Sequence, residues 1–259
     1  MSTFDRAASS YDRVGPRLFT YFGRRIVDLA GLSGGETVLD AACGSGAVLI
    51  PAARRSGALT VGIDLSVPMA KRARGAAERG ALPNVRLVLM SATTLGFPQR
   101  TFDTLFCGFA LDSFPQPHTA LSEFGRVLRP RGTVALTVAE RWWWEGDPRW
   151  EWHGPLLESL GINVSQEPRR LSTANSVAKA LRGAGFTADY VAAEEFALSF
   201  SDFDEWWRWC WSHGYRRVLE RLSPSKQERY RASCARRLGD AGIDGRLEVL
   251  SAVGHRLAS

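Results

Sequence analysis

Two apolar runs that each end in an acid, with a Gly-x-Gly turn after the first, constrain this chain more than any other feature. They are VLDAACGSG, Val38 to Gly46, and VGIDLS, Val61 to Ser66, with Asp64 eighteen residues after Gly46. A strand over Thr37 to Asp40 that runs straight into a helix starting near Gly46 needs a tight turn. Gly44 and Gly46 let the backbone there approach a ligand without an intervening side chain. Asp64, at the carboxyl end of the next strand, is placed to accept both hydroxyls of a ribose. The pattern is that of a nucleotide site, and the same geometry serves two ligand classes.

In the dinucleotide fingerprint a third small residue lets helix and strand pack closely beneath a pyrophosphate at the helix N-terminus. Here Leu49 holds that position. S-adenosylmethionine (SAM) has no pyrophosphate; it carries a sulfonium and an amino acid head group, which suit an acid at the end of the first strand. Asp40 stands there to receive the ammonium.

VLDAACGSG, VGIDLS, RVLRPRG (Arg126 to Gly132) and FDRAASSYD (Phe4 to Asp12) together resemble class I SAM-dependent methyltransferases of the ubiquinone/menaquinone-biosynthesis type, methyltransferase type 11. The likeness is strong through the fifth strand and only in outline beyond it. It implies SAM as cofactor, S-adenosylhomocysteine (SAH) as product, and Asp40, Ala42, Gly44, Gly46 and Asp64 as cofactor contacts. It also implies that Leu65 and Met69 cover the adenine. Ser91 and Ala92 stand where the family has Asp-Ala, a shorter and uncharged substitute for a carboxylate on the adenine amino group. Cys107 and Gly108 fall where the backbone touches the methionine moiety, Phe109 opens the loop facing the acceptor, and Tyr11 closes over the cofactor.

With 45% hydrophobic and 23% charged residues in 259, the chain has enough apolar surface for one large domain. No apolar run approaches the roughly 18 residues of a membrane helix, and MSTFDRAASS has neither the basic start nor the apolar core of a secretory signal. Cys43, Cys107, Cys210 and Cys234 are far apart with no C-x-x-C pair, which points to reduced thiols in a cytoplasmic protein and to no metal site. The net charge of +6 comes without a recognisable nucleic-acid module, so no nucleic-acid partner is expected. A solvated Arg-rich surface accounts for it better than an anionic substrate does.

Alternating strand and helix patterns predict an α/β, doubly wound, Rossmann-like sheet of seven strands with helical lid insertions. Strands are expected over 37–40, 60–63, 85–89, 104–109, 133–138, 188–196 and 247–256. Helices are expected over 47–55, 68–79, 119–128 and 174–184, with Gly185 capping the last. The family resemblance implies an antiparallel final strand. The whole chain is read as a single domain: an N-terminal helical lid over 1–30, a SAM-binding core over 31–140, and acceptor lids over 141–172 and 199–240.

All nine tryptophans fall in those last two segments. Indole faces stack on aromatic rings and hold cations, so at least two, with Trp142, Trp206 and Trp207 foremost, are expected to line an acceptor pocket. Against this, Phe203, Trp206, Trp207, Cys210 and Trp211 follow the spacing by which a helix packs on a core. Methyl transfer from a sulfonium needs a close, collinear nucleophile in a dry pocket, with a base where the nucleophile is protonated. His153 and His213 are the candidates, and Glu151 and Glu167 weaker ones. The acceptor is expected to be apolar: aromatic, polyketide-like or isoprenoid, methylated at carbon or oxygen. For the isoprenoid, Arg169, Arg170 or Arg216 would hold a diphosphate, with magnesium assisting. A SAM-bound cyclase or pericyclic catalyst on the same fold, and an NAD-dependent oxidoreductase, are the alternatives.

Overall fold

The computed structural model describes residues 2–140, 144–163, 171–239 and 242–258; Trp142, Trp143, Glu167, Arg169 and Arg170 lie outside them. The first half of the chain contains α1 (Thr3–Ala7), α2 (Leu18–Leu29), β1 (Val38–Ala41), α3 (Leu49–Ser56), β2 (Thr60–Asp64), α4 (Val67–Arg79), β3 (Val85–Leu89) and β4 (Phe102–Gly108). Then come α5 (Pro117–Val127), β5 (Leu128–Ala139), α6 (His153–Ser159), α7 (Ala174–Gly183), β6 (Tyr190–Phe200), α8 (Phe203–Trp211), α9 (Arg216–Leu219), α10 (Pro224–Leu238) and β7 (Ile243–His255).

The strands form one sheet in the order β3-β2-β1-β4-β5-β7-β6. Parallel pairing runs from β3 through β5, and β7 runs antiparallel to β5, with Thr133 opposite His255 and Ala139 opposite Val249. All four residues of β1 are buried, as a strand covered on both faces requires. From β1 the chain winds outward to β3, then returns to place β4 on the other side of β1. The carboxyl ends of β1 and β4 therefore meet where the winding reverses, the position at which such sheets bind ligands.

Helix boundaries follow local chemistry. Ser66 caps α4 by accepting from the Met69 N–H, and Thr173 and Ser176 form a capping box at α7. Gly185, at φ 81° just beyond α7, takes the left-handed conformation that ends a helix. α3 begins at Leu49, two residues later than its periodicity predicts, because turns occupy Gly44 to Val48. β5 starts five residues earlier than expected, since Leu128 pairs with Phe102 before a register shift.

The motif RVLRPRG is a structural clasp. Arg126 donates to the carbonyls of Leu95 and Phe97 at 2.7 and 2.8 Å and to Glu123, while Glu123 accepts the Leu95 N–H. The loop before β4 is thereby tied to α5. Gly132 has no room for a side chain, since a Cβ would lie 2.9 Å from the carbonyl oxygens of Arg129 and Asp103.

The chain divides into two compact units. The sheet unit comprises Phe19–Glu140, Arg170–Glu194 and Val249–Ser259; the aromatic unit comprises Met1–Leu18, Arg141–Arg169 and Glu195–Glu248. In the aromatic unit α1 is fastened to α9 by Glu220, which accepts from Arg6, Arg216 and Thr3. Hydrogen bonding from Arg6 leads in holding that carboxyl down to about 2.

In the sheet unit α2 lies directly on the turn that follows β1. A Cβ on Gly23 would fall 2.2 Å from the Ala47 carbonyl oxygen. Alanine is the better helix former by about 1 kcal/mol, yet this contact reverses the sign. Gly23→Ala is expected to lower unfolding stability by about 1–2 kcal/mol net in chemical denaturation; an unchanged or raised midpoint would show that α2 does not rest on the turn.

Candidate functional site

Three residues in five take positive φ just after β1: Ala42 at 58°, Gly44 at 53° and Gly46 at 94°. The turn is anchored by Cys43 N–H on the Ile63 carbonyl (2.8 Å) and Gly46 N–H on the Cys43 carbonyl (2.9 Å). A Cβ on Gly44 would meet nothing within 4 Å, so the turn presents bare backbone to open space. Gly62 on β2 is the opposite case: a Cβ would lie 2.8–2.9 Å from Leu49, Cys43 and Leu87. Leu49 is itself buried against Cys43 and Ala73, filling the place where a dinucleotide turn keeps a small residue.

The Asp64 carboxylate joins the tips of β1 and β2. One oxygen accepts the Gly44 N–H and the other the Ser66 N–H, each at 2.8 Å. A carboxylate oxygen accepts more than one hydrogen bond, so a group held in this way suits hydroxyl donors.

Asp40 is only 1% exposed; neither of its oxygens has a partner at hydrogen-bond geometry among the described residues, and the Leu49 backbone N–H at the start of α3 acts on the carboxyl from outside that geometry. Burial, and then the neighbouring charge of Asp64, push its carboxyl well above the usual carboxylate range. An ionised carboxylate in such a place costs several kcal/mol unless a cation joins it. The site therefore fits SAM: Asp40 would take the positive head group, the Gly44 turn would allow close approach, and Asp64 would take the ribose. Leu65 is 73% exposed and Leu89 56%, aliphatic surface beside Asp64 suited to a planar base.

Other residues assigned from sequence occupy varied settings. Met69 is 1% exposed and Ala92 6%, so both pack inward. The Ser91 hydroxyl is engaged with Thr93, bonding its hydroxyl (2.8 Å) and accepting its N–H. The Cys107 side chain lies in the main core, and burial raises its thiol above the ordinary range; the backbone of Cys107 and Gly108 is what ends β4. Phe109 adopts φ 55° and packs edge-on against Phe19 and Phe22 at 5.2 and 5.8 Å. The two α2 phenylalanines were not evident from sequence; Gly23 inside an apolar helix is the one local sign of that packing.

The remaining candidates belong to the aromatic unit. Tyr11 packs edge-on against Phe4. His153 and Trp206 have no exposed surface, which places them inside a core rather than on a substrate-facing wall. Nε2 of His153 bonds the Tyr230 hydroxyl, which is 2.8 Å from the Tyr215 hydroxyl. Trp144 and Trp150 pack on the same ring. Burial lowers the pKa of His153 to about 3, so the ring is neutral at pH 7. Trp206 stacks on Trp150 and tilts against Phe203. Trp152, Trp207 and Trp211 are half-buried, whereas Trp144, Trp150 and Trp209 are buried. His213 is half-buried and donates from Nδ1 to the Trp209 carbonyl at 2.7 Å, leaving the lone pair of the neutral ring on Nε2; burial lowers its pKa to about 4. Among the described residues no group of three or more His, Cys, Asp or Glu is arranged to hold a metal, and no helix is long and apolar enough to cross a membrane.

A reversing sheet of this order, with a bare glycine turn and two acids at adjoining strand tips, defines a class I SAM-binding fold. The methyltransferase-domain family matches residues 39–136. Nocamycin O-methyltransferase of Saccharothrix syringae is 32% identical over 253 residues, covering 91% of this chain and 89% of that protein. Aklanonic acid methyltransferase DauC of Streptomyces sp. (strain C5) is 40% identical over 136 residues, 52% of this chain, which spans 62% of that enzyme. The [4+2]-cyclase SpnF shares the fold with TM-score 0.58 at 21% identity, over 91% of this chain and 81% of its own. The chain belongs to the class I SAM-dependent methyltransferase family.

Asp64→Ala is expected to weaken SAM binding by about 1–3 kcal/mol, since charged hydrogen bonds are lost, and Gly44→Val to abolish binding and also to lower stability by about 1–2 kcal/mol, because a β-branched side chain is strained at φ 53°; unchanged affinity in both would contradict the site. His153 supplies a pH signature. Its folded pKa lies below the unfolded value of 6.5, so the unfolded chain binds more protons between pH 6.5 and about 3. Stability is therefore full above that window and falls as the pH drops through it. Denaturation midpoints measured across it should fall less steeply for His153→Gln than for the parent; equal slopes would contradict a buried neutral ring.

Proposed function

We propose that this enzyme transfers the methyl group of SAM to an oxygen of an apolar, aromatic or polyketide-like small molecule. One observation carries the donor half: Asp40, buried and without a hydrogen-bond partner among the described residues, beside a carboxylate already held by two backbone amides. The acceptor half draws support from relatives named for nocamycin and aklanonic acid, the first of them an O-methyltransferase similar along nine tenths of its length.

Bound SAM supplies an electrophilic methyl on a good leaving group. What remains for the chain is to bind, orient and exclude water. Asp40 neutralises the cationic end, Asp64 fixes the sugar, and Leu65 and Leu89 cover the base. Phe109, held in a left-handed conformation against Phe19 and Phe22, is the proposed wall on the acceptor side. Strain of this kind in a bulky residue persists where a site over-determines it. Trp207 is the half-buried tryptophan proposed for the acceptor. His213, neutral at pH 7, is the proposed base. Of the arginines expected to hold a diphosphate, Arg216 already donates to Glu220 and lies over the Trp211 ring, and Arg169 and Arg170 lie outside the described residues.

Incubation with methyl-labelled SAM and a panel of hydroxylated aromatic polyketides, their carboxylic acids and geranyl diphosphate tests this assignment. Label is expected in an ether or ester of a polyketide. Label confined to the isoprenoid would overturn the acceptor class, and an unlabelled cyclised product would overturn methyl transfer itself.

A further inference from the structure

Asp40 differs from other acids in the sheet unit in what surrounds it. Its own strand gives it no donor, both oxygens are sealed from solvent without a partner at hydrogen-bond geometry, and among the described residues only the Leu49 backbone N–H favours its ionised form. Among the described residues, the titratable groups coupled to it are the Asp64 carboxylate at the tip of β2, the Cys43 thiol in the turn and the Cys107 thiol on β4, none of them a cation. Two backbone N–H groups bind Asp64, and hydrogen bonds of this kind favour an ionised carboxylate. Two neighbouring carboxyls of which only one is solvated by the protein do not both ionise.

We propose that Asp40 is protonated in the cofactor-free enzyme and that a cationic cofactor displaces this proton, so that SAM and a proton compete for one carboxyl. The step balances simply. The O–H bond of Asp40 breaks, its electron pair stays on oxygen, the proton passes to buffer, and the ligand keeps its charge. The direction of the carboxyl's shift agrees with this assignment. Affinity then rises with pH, by about tenfold per unit while Asp40 remains mainly protonated in the free enzyme. The cofactor-free protein, relieved of a group that resists ionising, is expected to melt no lower as Asp40→Asn at neutral pH.

The inference rests on the SAM assignment above, and calorimetry separates the two. SAH is titrated into the full chain at pH 6.5, where its own amino group is already protonated, in buffers of small and large ionisation enthalpy. The apparent enthalpy is expected to vary with buffer as for release of about one proton, and to lose that dependence in Asp40→Asn. Binding with no buffer dependence in the parent would overturn the proposal while leaving the cofactor site intact; absence of any binding heat would overturn the site as well. Should Asp40→Asn fail to fold, infrared difference spectra of the parent decide. The carbonyl stretch of a protonated carboxyl is expected to vanish on adding SAH, and its absence beforehand would overturn the proposal.

Discussion

Two carboxyls at adjoining strand tips, in a place too dry for both to be charged unaided, set the terms for the rest of this structure. Asp64 is tolerated because the turn after β1 and the start of α4 each turn an N–H onto it. Asp40, opposite Gly62 on β2 and Phe106 on β4, receives no such pair of amides: the Leu49 N–H acts on it without reaching hydrogen-bond geometry. Hydrogen bonding within the protein therefore satisfies one acid and leaves the other for a ligand. The details nearby serve this asymmetry. Leu49 and Gly62 close the space beneath the turn, Gly44 keeps the space above it open, and α2 bears on the Ala47 peptide so that the turn is held from behind.

Much of this was legible in the sequence because it is local. The acids, the glycines and the strand–turn–helix rhythm all lie within about thirty residues, and each is dictated by backbone conformation or strand burial. The seven strands and the antiparallel β7 followed, the latter through family resemblance. The role of RVLRPRG did not, since Arg126 reaches carbonyls some thirty residues away. Gly23 likewise reads as a weak point in a helix until Ala47 is seen against it.

Side-chain settings were less legible than elements. His153 reads as a base in a loop-rich segment, but its surroundings come from Trp144, Tyr215 and Tyr230, brought together from three stretches of chain. The nine tryptophans mark a region of unusual composition without saying which are walls and which are filling. The helical spacing of Phe203, Trp206 and Cys210 favoured filling, and these three are buried; Trp207 and Trp211 lie at the margin. In the aromatic unit large rigid rings, with a His–Tyr–Tyr hydrogen-bond set inside, form a core, and Glu220 fastens the first helix to it.

The most direct test is a crystal structure of the chain grown with SAH. One molecule is expected at the tips of β1 and β2, its ammonium on Asp40, its ribose hydroxyls on Asp64 and its base against Leu65. A ligand bound elsewhere, with Asp40 still lacking a partner, would contradict that arrangement.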